Sequence, residues 1–309
     1  MYEFKRIVVG LKLIADGSAV SLGSQKAAQQ AIWVAMANGG TIQFLHSTFE
    51  DQYHSEALGT TLGMQHEGLS DAGRNALDGI VTEACNSGLD AELFICKGRT
   101  WLEIIRLTLS ERVDLVVVGK RSEDTDGGRR LGNVAKKLLR KCPTPVWVVR
   151  PEHDLVHRLV LAATDLTPVG DQAVRCAAFV AERHECDFQI LHAWQMTMVS
   201  QLEAGQLSDE ERGSANDAVK RKCVAHIATS LGEYRGKAEP VIHTSKGAPA
   251  RTIREAVTHL DPDLLVMGTV SRVGVPGMLL GSTAERMLDR VDCSILTVKP
   301  EGFVSPITL

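Results

Sequence analysis

Residues 268–282, GTVSRVGVPGMLLGS, form the stretch of this 309-residue sequence best suited to chemistry. The stretch follows an aliphatic run typical of a buried strand and leads into a segment with helix-forming composition. Glycine amides and the first turn of a helix attract phosphate, because no Cβ blocks the approach and the helix dipole is positive there. The same residues also fit a structural interpretation without a ligand, with an ordinary turn at residues 275–277 and a capping box made by Ser282 and Glu285. A phosphate cradle and a capped turn both stay open at this point.

The sequence carries no signature of an established enzyme mechanism. The glycine stretch is neither a Walker A motif nor a G-x-G-x-x-G fingerprint, and neither a G-x-S-x-G elbow nor an H-E-x-x-H helix occurs elsewhere. No general base is evident near the stretch. We therefore expect a binding protein and not an enzyme.

Three other groups of side chains favour a structural interpretation. His46 and His192 each end a strand-like run with no metal-ligand spacing beside them, so we expect hydrogen-bonded imidazoles and no metal. The seven cysteines are scattered and never spaced C-x-x-C, which indicates free thiols. A basic cluster lacks interleaved aromatic residues and predicts a solvated helix face, not a nucleic-acid site. The cluster consists of Arg129, Arg130, Lys136, Lys137, Arg140 and Lys141.

An internal repeat divides the chain. Shifting the sequence by 149 positions places residues 97–151 on residues 246–300, and 15 of those 55 columns are identical. A chain of this length also suggests two domains. We predict domains at 1–151 and 156–309, joined at the segment PEHDLV.

Each half alternates short aliphatic runs with longer amphipathic segments. That pattern predicts five strands and four helices per half, and hence an α/β, doubly wound, Rossmann-like domain whose parallel sheet has helices on both faces. Ligands of such sheets bind beyond the carboxyl ends of the strands, where the strand order reverses. The glycine stretch follows a strand at that edge.

The composition is that of an ordinary soluble protein. Hydrophobic residues make up 44% and charged residues 23% of the chain, and the net charge is −4. The sequence has neither an apolar run long enough to span a membrane nor the pattern of a secretory signal. We expect a cytoplasmic protein that binds neither membranes nor specific nucleic acid.

The spacing Gly268-x2-Ser271-x9-Gly281-Ser282 resembles the signature G-x2-G-x9-G-[ST] of the universal stress protein family. The segments LLRKCPTPVWVVR and GTVSRVGVPG resemble the E-type members, which carry two domains in tandem. This resemblance implies strand order 3-2-1-4-5 in each domain and a stress-response protein with a regulatory or protective role. Some members of the family bind ATP and others do not. The implied ligand is ATP or a related adenine nucleotide, with Mg²⁺.

The resemblance also implies roles for residues of the second half. Asp165 matches the acid near adenine and ribose, and Ala193 stands where the backbone meets adenine. Ser271 replaces the second glycine of the signature, and its side chain would either crowd the phosphates or donate a hydrogen bond to them. The residues expected to line the phosphates are Gly268, Ser271, Arg272, Gly281, Ser282 and Thr283.

The first half departs further from the signature. Asn133 replaces the final serine and is expected to cap the helix. Glu123, Asp124 and Asp126 place negative charge where a polyphosphate would lie. No acid aligns with Asp165, because Asp16 falls inside an apparent insertion. We predict a degenerate first site with a structural role.

The family resemblance finally implies how the chain assembles. The last strand of each half would pair between domains, giving an intramolecular pseudo-dimer, and two chains would form a homodimer. Two other functions stay open. One is an interaction scaffold that binds no nucleotide. The other is a slow ATPase or autophosphorylating enzyme with Ser271, Ser282 or Thr283 as acceptors.

Overall fold

A computed structural model of the chain describes residues 3–48, 69–120, 131–152, 154–194, 208–269, 281–288 and 290–309. Eight helices and ten strands alternate within these ranges. Contacts divide the chain into two compact units. The first contains Glu3–Leu155 and Val304–Leu309, and the second contains Val156–Phe303.

The first unit is a five-stranded parallel sheet in the order β3-β2-β1-β4-β5. Helix α1 packs against α2, and α3 packs against α4. The elements follow the chain as β1 (Arg6–Leu11), α1 (Leu22–Asn38), β2 (Thr41–Ser47), α2 (Asp71–Asn86), β3 (Asp90–Cys96), α3 (Thr100–Glu111), β4 (Leu115–Gly119), α4 (Asn133–Lys141) and β5 (Val146–Val149).

The second unit repeats the same topology, with the parallel order β8-β7-β6-β9-β10. The predicted fold class and strand order are therefore confirmed in both halves. The elements are β6 (Leu159–Thr164), α5 (Pro168–His184), β7 (Asp187–Trp194), α6 (Asp209–Leu231), β8 (Val241–Lys246), α7 (Pro249–Leu260), β9 (Leu264–Gly268), α8 (Ser282–Leu288) and β10 (Ser294–Val298).

Local sequence explains where these elements begin. The inner strands are uniformly apolar because helices cover both faces of the sheet, and every residue of β9 before its final glycine is buried. Ser208 and Glu211 form the capping box expected at the start of α6. Thr167 caps α5, where Pro168 takes the first helical position. Among the described helices, none is both long enough and apolar enough to cross a membrane.

One pair of repeated residues has a purely structural role. Asp114 accepts hydrogen bonds from the backbone amides of Lys5 and Arg6 at the start of β1, at 3.0 and 2.9 Å. Asp263 accepts the equivalent bonds in the second unit from the amides of Arg158 and Leu159, at 2.6 and 3.0 Å. Burial raises the pKa of Asp263, but these hydrogen bonds and the Arg158 charge outweigh it and hold the pKa below its ordinary value. The repeat thus preserves the pairing of β1 with β4 and of β6 with β9.

Candidate functional site

The candidate site lies at the carboxyl edge of the second unit, where the strand order reverses between β6 and β9. Thr164 ends β6 and pairs with His192 of β7, so Asp165 emerges directly beside Ala193. Strand β7 continues for two residues beyond its last pair with β6 and still pairs with β8, in which Ala193 lies opposite Ser245. Strand β7 therefore extends beyond the end of β6 at this edge. Asp165 lies directly after β6, and Ala193 lies in the extension of β7.

A local hydrogen-bond network holds Asp165 in place. Its Oδ1 accepts from the amide of Thr167 at 3.2 Å and from the Thr167 hydroxyl at 2.5 Å, while the residue as a whole is exposed. Leu166, between them, adopts a left-handed conformation with φ of 59°. Thr167 also caps α5 by accepting from the amide of Gly170. The sharp turn thus presents a fixed carboxylate to solvent at the start of a helix.

The first turn of α5 brings the ends of β6 and β9 together. A Cβ added to Gly170 would lie 2.6 Å from Asp165 Oδ1 and 2.6 Å from Thr164 Oγ1. A Cβ added to Gly268 would lie 3.1 Å from a methyl group of Val169, the neighbour of Gly170 in the helix. Asp165 and Gly268 therefore border the same helical turn, on its two sides.

Gly281 lies at the start of α8, on the β9 side of the candidate site. Its amide donates to the carbonyl of Thr269 at 2.6 Å, which attaches the start of α8 to the end of β9. Its carbonyl accepts from the amide of Glu285 at 2.9 Å, so Gly281 is the cap and Ser282 is the first helical residue. The capping box expected from Ser282 and Glu285 is thus wrong by one position.

The corrected register leaves two hydroxyl groups for a ligand. No hydrogen bond within the described ranges involves the side chain of Ser282 or Thr283, and both residues lie in the first turn of α8. Ser271 and Arg272 lie outside the described residues. The structure thus places Asp165, Ala193, Gly268, Gly281, Ser282 and Thr283 along one sheet edge.

The two histidines near this edge have structural hydrogen bonds, as expected. Nδ1 of His192 lies 3.0 Å from the carbonyl oxygen of Thr164, and Nδ1 of His46 lies 3.2 Å from that of Leu11. A carbonyl only accepts, so Nδ1 carries the proton in both rings. Burial lowers the pKa of His46, which keeps that ring neutral. Each ring joins the first and second strands of its domain.

The corresponding edge of the first unit differs in charge and in packing. The pairing of Leu11 with His46 makes Lys12 the counterpart of Asp165, so a cation stands where the second unit has a carboxylate. A Cβ added to Gly119 would lie 2.2 Å from backbone atoms of Gly23 in the first turn of α1. At this point backbone packs on backbone.

Two details of the first unit correct the sequence interpretation. Asn133 does not cap α4, because Gly132 occupies the cap position and no side-chain capping bond forms.

The ammonium groups of Lys137 and Lys141 lie 5.1 and 4.8 Å from the centroid of the Trp101 ring. The basic face of α4 therefore packs partly on an aromatic residue, which comes from α3 and could not be found by scanning neighbours in the sequence. Arg129 and Arg130 lie outside the described residues.

The remaining candidate groups are consistent with a structural role. All seven cysteines are free, and five are buried. Burial raises the pKa of Cys186 to about 11, assisted by the charges of Asp263 and Asp187, and burial alone raises that of Cys176. Across the described ranges, no three His, Cys, Asp or Glu side chains cluster closely enough to hold a metal ion.

Sequence reasoning missed Thr167 and Thr269, which position the predicted residues. A threonine before proline is a helix-start signal, so Thr167 could have been found as a cap. Its second bond, to Asp165, depends on the left-handed turn between the two residues. The hydrogen bond from the Gly281 amide to Thr269 joins residues twelve positions apart, and no local pattern indicates it.

The family model of the universal stress protein family matches this chain twice, at residues 3–150 and 157–299. The chain therefore belongs to the universal stress protein family and carries two of its domains in tandem. Universal stress protein E of Escherichia coli K12 is 25% identical over 306 residues, which cover 92% of this chain and 93% of that protein.

Two crystal structures share the fold over nearly the full length. A functionally unknown protein from Pseudomonas aeruginosa PAO1 aligns with a TM-score of 0.71 and 19% identity, covering 96% of this chain and 93% of that one. A universal stress protein from Archaeoglobus fulgidus aligns with a TM-score of 0.60 and 18% identity, covering 95% and 98%. Both comparisons support the tandem α/β architecture.

Proposed function

We propose that this protein is a cytoplasmic stress-response protein with a regulatory or protective role, and that its second domain binds ATP or a related adenine nucleotide. Asp165 would hold the ribose, and the backbone at Ala193 would contact adenine. Gly268, Ser271, Arg272 and Gly281 would contact the phosphates. The two hydroxyls of Ser282 and Thr283 would complete the phosphate side. The proposal is for binding and not for turnover.

The observation that carries the proposal is the arrangement around the first turn of α5. Asp165 is fixed on one side of that turn and Gly268 packs on the other, at the point where ligands of doubly wound sheets bind. Only the second domain combines this carboxylate with a serine at the start of its fourth helix. Family membership gives the arrangement its ligand class.

Mg²⁺ would bind together with the nucleotide and not in a site formed by protein ligands alone. Mg²⁺ retains several waters and binds through one or two carboxylates together with substrate phosphates. Asp165, Ser282 and Thr283 offer oxygen atoms at this edge, which suits such a shared site. These residues would hold the metal only while phosphate is bound.

One hydrogen bond favours the alternative of a scaffold without nucleotide. The amide of Gly281 already donates to Thr269, so this signature glycine offers no free backbone donor to a phosphate. A family member that keeps the fold but lacks the ligand would act through protein partners. An ATPase or autophosphorylating function ranks below both.

Titration of the purified protein with ATP and Mg²⁺ by calorimetry tests the proposal. We expect saturable binding with one site per chain. Replacement Gly281→Val should abolish binding, because a branched side chain would stand between the phosphates and the start of α8. The matched replacement Gly132→Val should leave binding intact. Absence of saturable heat at millimolar ATP would favour the scaffold, and equal loss in both variants would contradict the assignment to the second domain.

A further inference from the structure

Trp194 is the last residue of β7 and belongs to none of the predicted site positions. It follows Ala193 on the two-residue extension of β7 beyond β6, and it is half-buried. Its carbonyl accepts from the amide of Gly247 at 2.9 Å, which fixes the backbone on the β8 side. On the side toward β6, where Asp165 emerges, the pairing of the two strands ends at His192, and no other described strand pairs with Trp194 there.

A neighbouring cation lies over the indole ring. Trp194 lies opposite Lys246 in the register of β7 and β8, and the Lys246 ammonium group is 5.9 Å from the centroid of the ring. The indole Nε1 is buried without a hydrogen-bond partner among the residues that the structure describes.

The two domains differ at the position of Trp194, and the tryptophan occurs in the domain that contains the predicted site. His46 and His192 occupy equivalent registers, so Thr48 is the counterpart of Trp194 in the first domain. Lys97 is likewise the counterpart of Lys246, which means that the lysine belongs to the common fold and the tryptophan does not. The aromatic residue occurs in the domain that also carries Asp165.

The order of residues along the edge assigns a part of the ligand to each strand. Lys246 and Trp194 end β8 and β7, Asp165 directly follows β6, and Gly268 ends β9, and these four strands are adjacent in that order. The phosphate side lies at β9 and α8, so the base of a nucleotide held at Asp165 extends toward β7. A flat indole at that point suits a purine, because stacking of a base on an aromatic ring is favourable for any base.

We propose that Trp194 is the stacking wall for the purine base in the second domain. This inference rests on the nucleotide-binding function proposed above. Trp194 positions the base, while Asp165 and the α8 side hold the ribose and phosphates. The contact is general for bases and does not itself select adenine over guanine.

The test compares ligands with and without a base on wild type, Trp194→Leu and Trp194→Phe. ATP affinity should fall about tenfold or more in Trp194→Leu and much less in Trp194→Phe, which keeps an aromatic face. GTP affinity should fall by a similar factor. Affinity for inorganic tripolyphosphate, which has no base, should stay unchanged. Trp101→Phe in the first domain is the matched control and should bind ATP as wild type does.

Fluorescence gives an independent readout. Saturating ATP should quench emission in wild type and in Trp101→Phe but not in Trp194→Phe. If wild type binds ATP and Trp194→Leu binds it equally well, the stacking role is overturned while the proposed function stands. If tripolyphosphate affinity falls together with ATP affinity, Trp194 acts through the structure of the edge and the inference is also overturned. If wild type binds no nucleotide, the proposed function and this role fail together.

Discussion

The two domains have the same skeleton but different edges. Both sheets run in the order 3-2-1-4-5, and both fourth helices begin after a capping glycine. At the carboxyl edge, however, Lys12 replaces Asp165, and Thr48 replaces Trp194. Residues that hold strands together recur in both halves, whereas residues that could touch a ligand occur in the second. The duplicated chain thus has retained a fold twice and a candidate site once.

The connection after the first strand accounts for much of the difference. Residues 12–21 join β1 to α1, while only residues 165–167 join β6 to α5. The longer connection forms a small antiparallel bridge between Leu13 and Val20. Asp16 is used inside this connection, where its Oδ1 accepts from the amide and hydroxyl of Ser18 at 2.9 and 2.6 Å. Asp165 makes the same pair of bonds to Thr167, so the difference between the domains is one of position: Asp16 lies four residues past Lys12, inside the longer connection.

The largest difference in stability between the domains should appear when Gly119 at the end of β4 and Gly268 at the end of β9 are each replaced by alanine. Gly119→Ala would force a Cβ to within 2.2 Å of the Gly23 backbone, whereas Gly268→Ala meets only Val169 methyl groups at 3.1 and 3.2 Å. We expect Gly119→Ala to lower the free energy of unfolding by about 3 kcal/mol and Gly268→Ala by about 1 kcal/mol. Chemical denaturation of both variants measures this. Equal losses would show that the two edges are packed alike.

Acid should destabilise the second domain through a buried histidine pair. The rings of His157 and His184 stack at 4.2 Å, and His184 Nδ1 accepts from the His157 amide at 3.2 Å. Burial, and then the neighbouring His157, lower the pKa of His184 to about 3, against the opposing charge of Asp263.

The unfolded chain therefore binds a proton first, and stability falls as the pH drops below 6.5 toward about 3. We expect a loss of about 2 kcal/mol between pH 7.5 and pH 5 from this group. Denaturation at both pH values should show a smaller loss of stability in His184→Asn, because the variant lacks the titrating imidazole. Asparagine is chosen because Asn38 ends α1 as His184 ends α5. His46 acts in the same direction in the first domain, so some loss remains. An unchanged slope in the variant would rule out His184 as the cause.

Changing the charge at Asp165, or at its counterpart Lys12, tests whether charge distinguishes the two domains. Asp165→Asn keeps an acceptor for Thr167 but removes the charge, and we expect ATP affinity to fall about tenfold, as for loss of a charged hydrogen bond. Lys12→Asp in the first domain should create no second site, because the backbone contact of Gly119 with Gly23 remains. Calorimetry gives both affinity and stoichiometry. Two sites per chain in Lys12→Asp would mean that charge alone distinguishes the domains.

The smallest expected effects come from the two helix caps. Ser21 caps α1 and Thr167 caps α5, so Ser21→Ala and Thr167→Ala should each lower the free energy of unfolding by about 1 kcal/mol. Thr167 also holds Asp165, so only Thr167→Ala should weaken ATP binding, by a fewfold factor. Thermal denaturation and calorimetry on the pair separate the two roles. Weaker binding in Ser21→Ala would contradict the assignment of the site to the second domain.

Sequence reasoning predicted most of the fold because its signals are local or repeated. Alternating aliphatic and amphipathic runs place all ten strands, and Ser208 with Glu211 marks the start of α6. The site was harder, because its supporting contacts join residues far apart in the chain. Ser282 fits a capping box by its residue type, yet Gly281 is the cap, because the Glu285 amide donates to the Gly281 carbonyl.

The sequence by itself determined the two-domain repeat and the parallel α/β class of each half, because the repeat and the hydrophobic periodicity are local patterns. The strand order and the list of residues that could bind a nucleotide came from the resemblance of the glycine stretch to the family signature. The sequence already excluded Asp16 as the counterpart of Asp165, but only the tertiary structure showed that Lys12 is that counterpart and that Trp194 lies on the extension of β7 at the same edge. Strand register determines which residues are neighbours at the end of a sheet, and register is a property of paired strands and not of either strand alone.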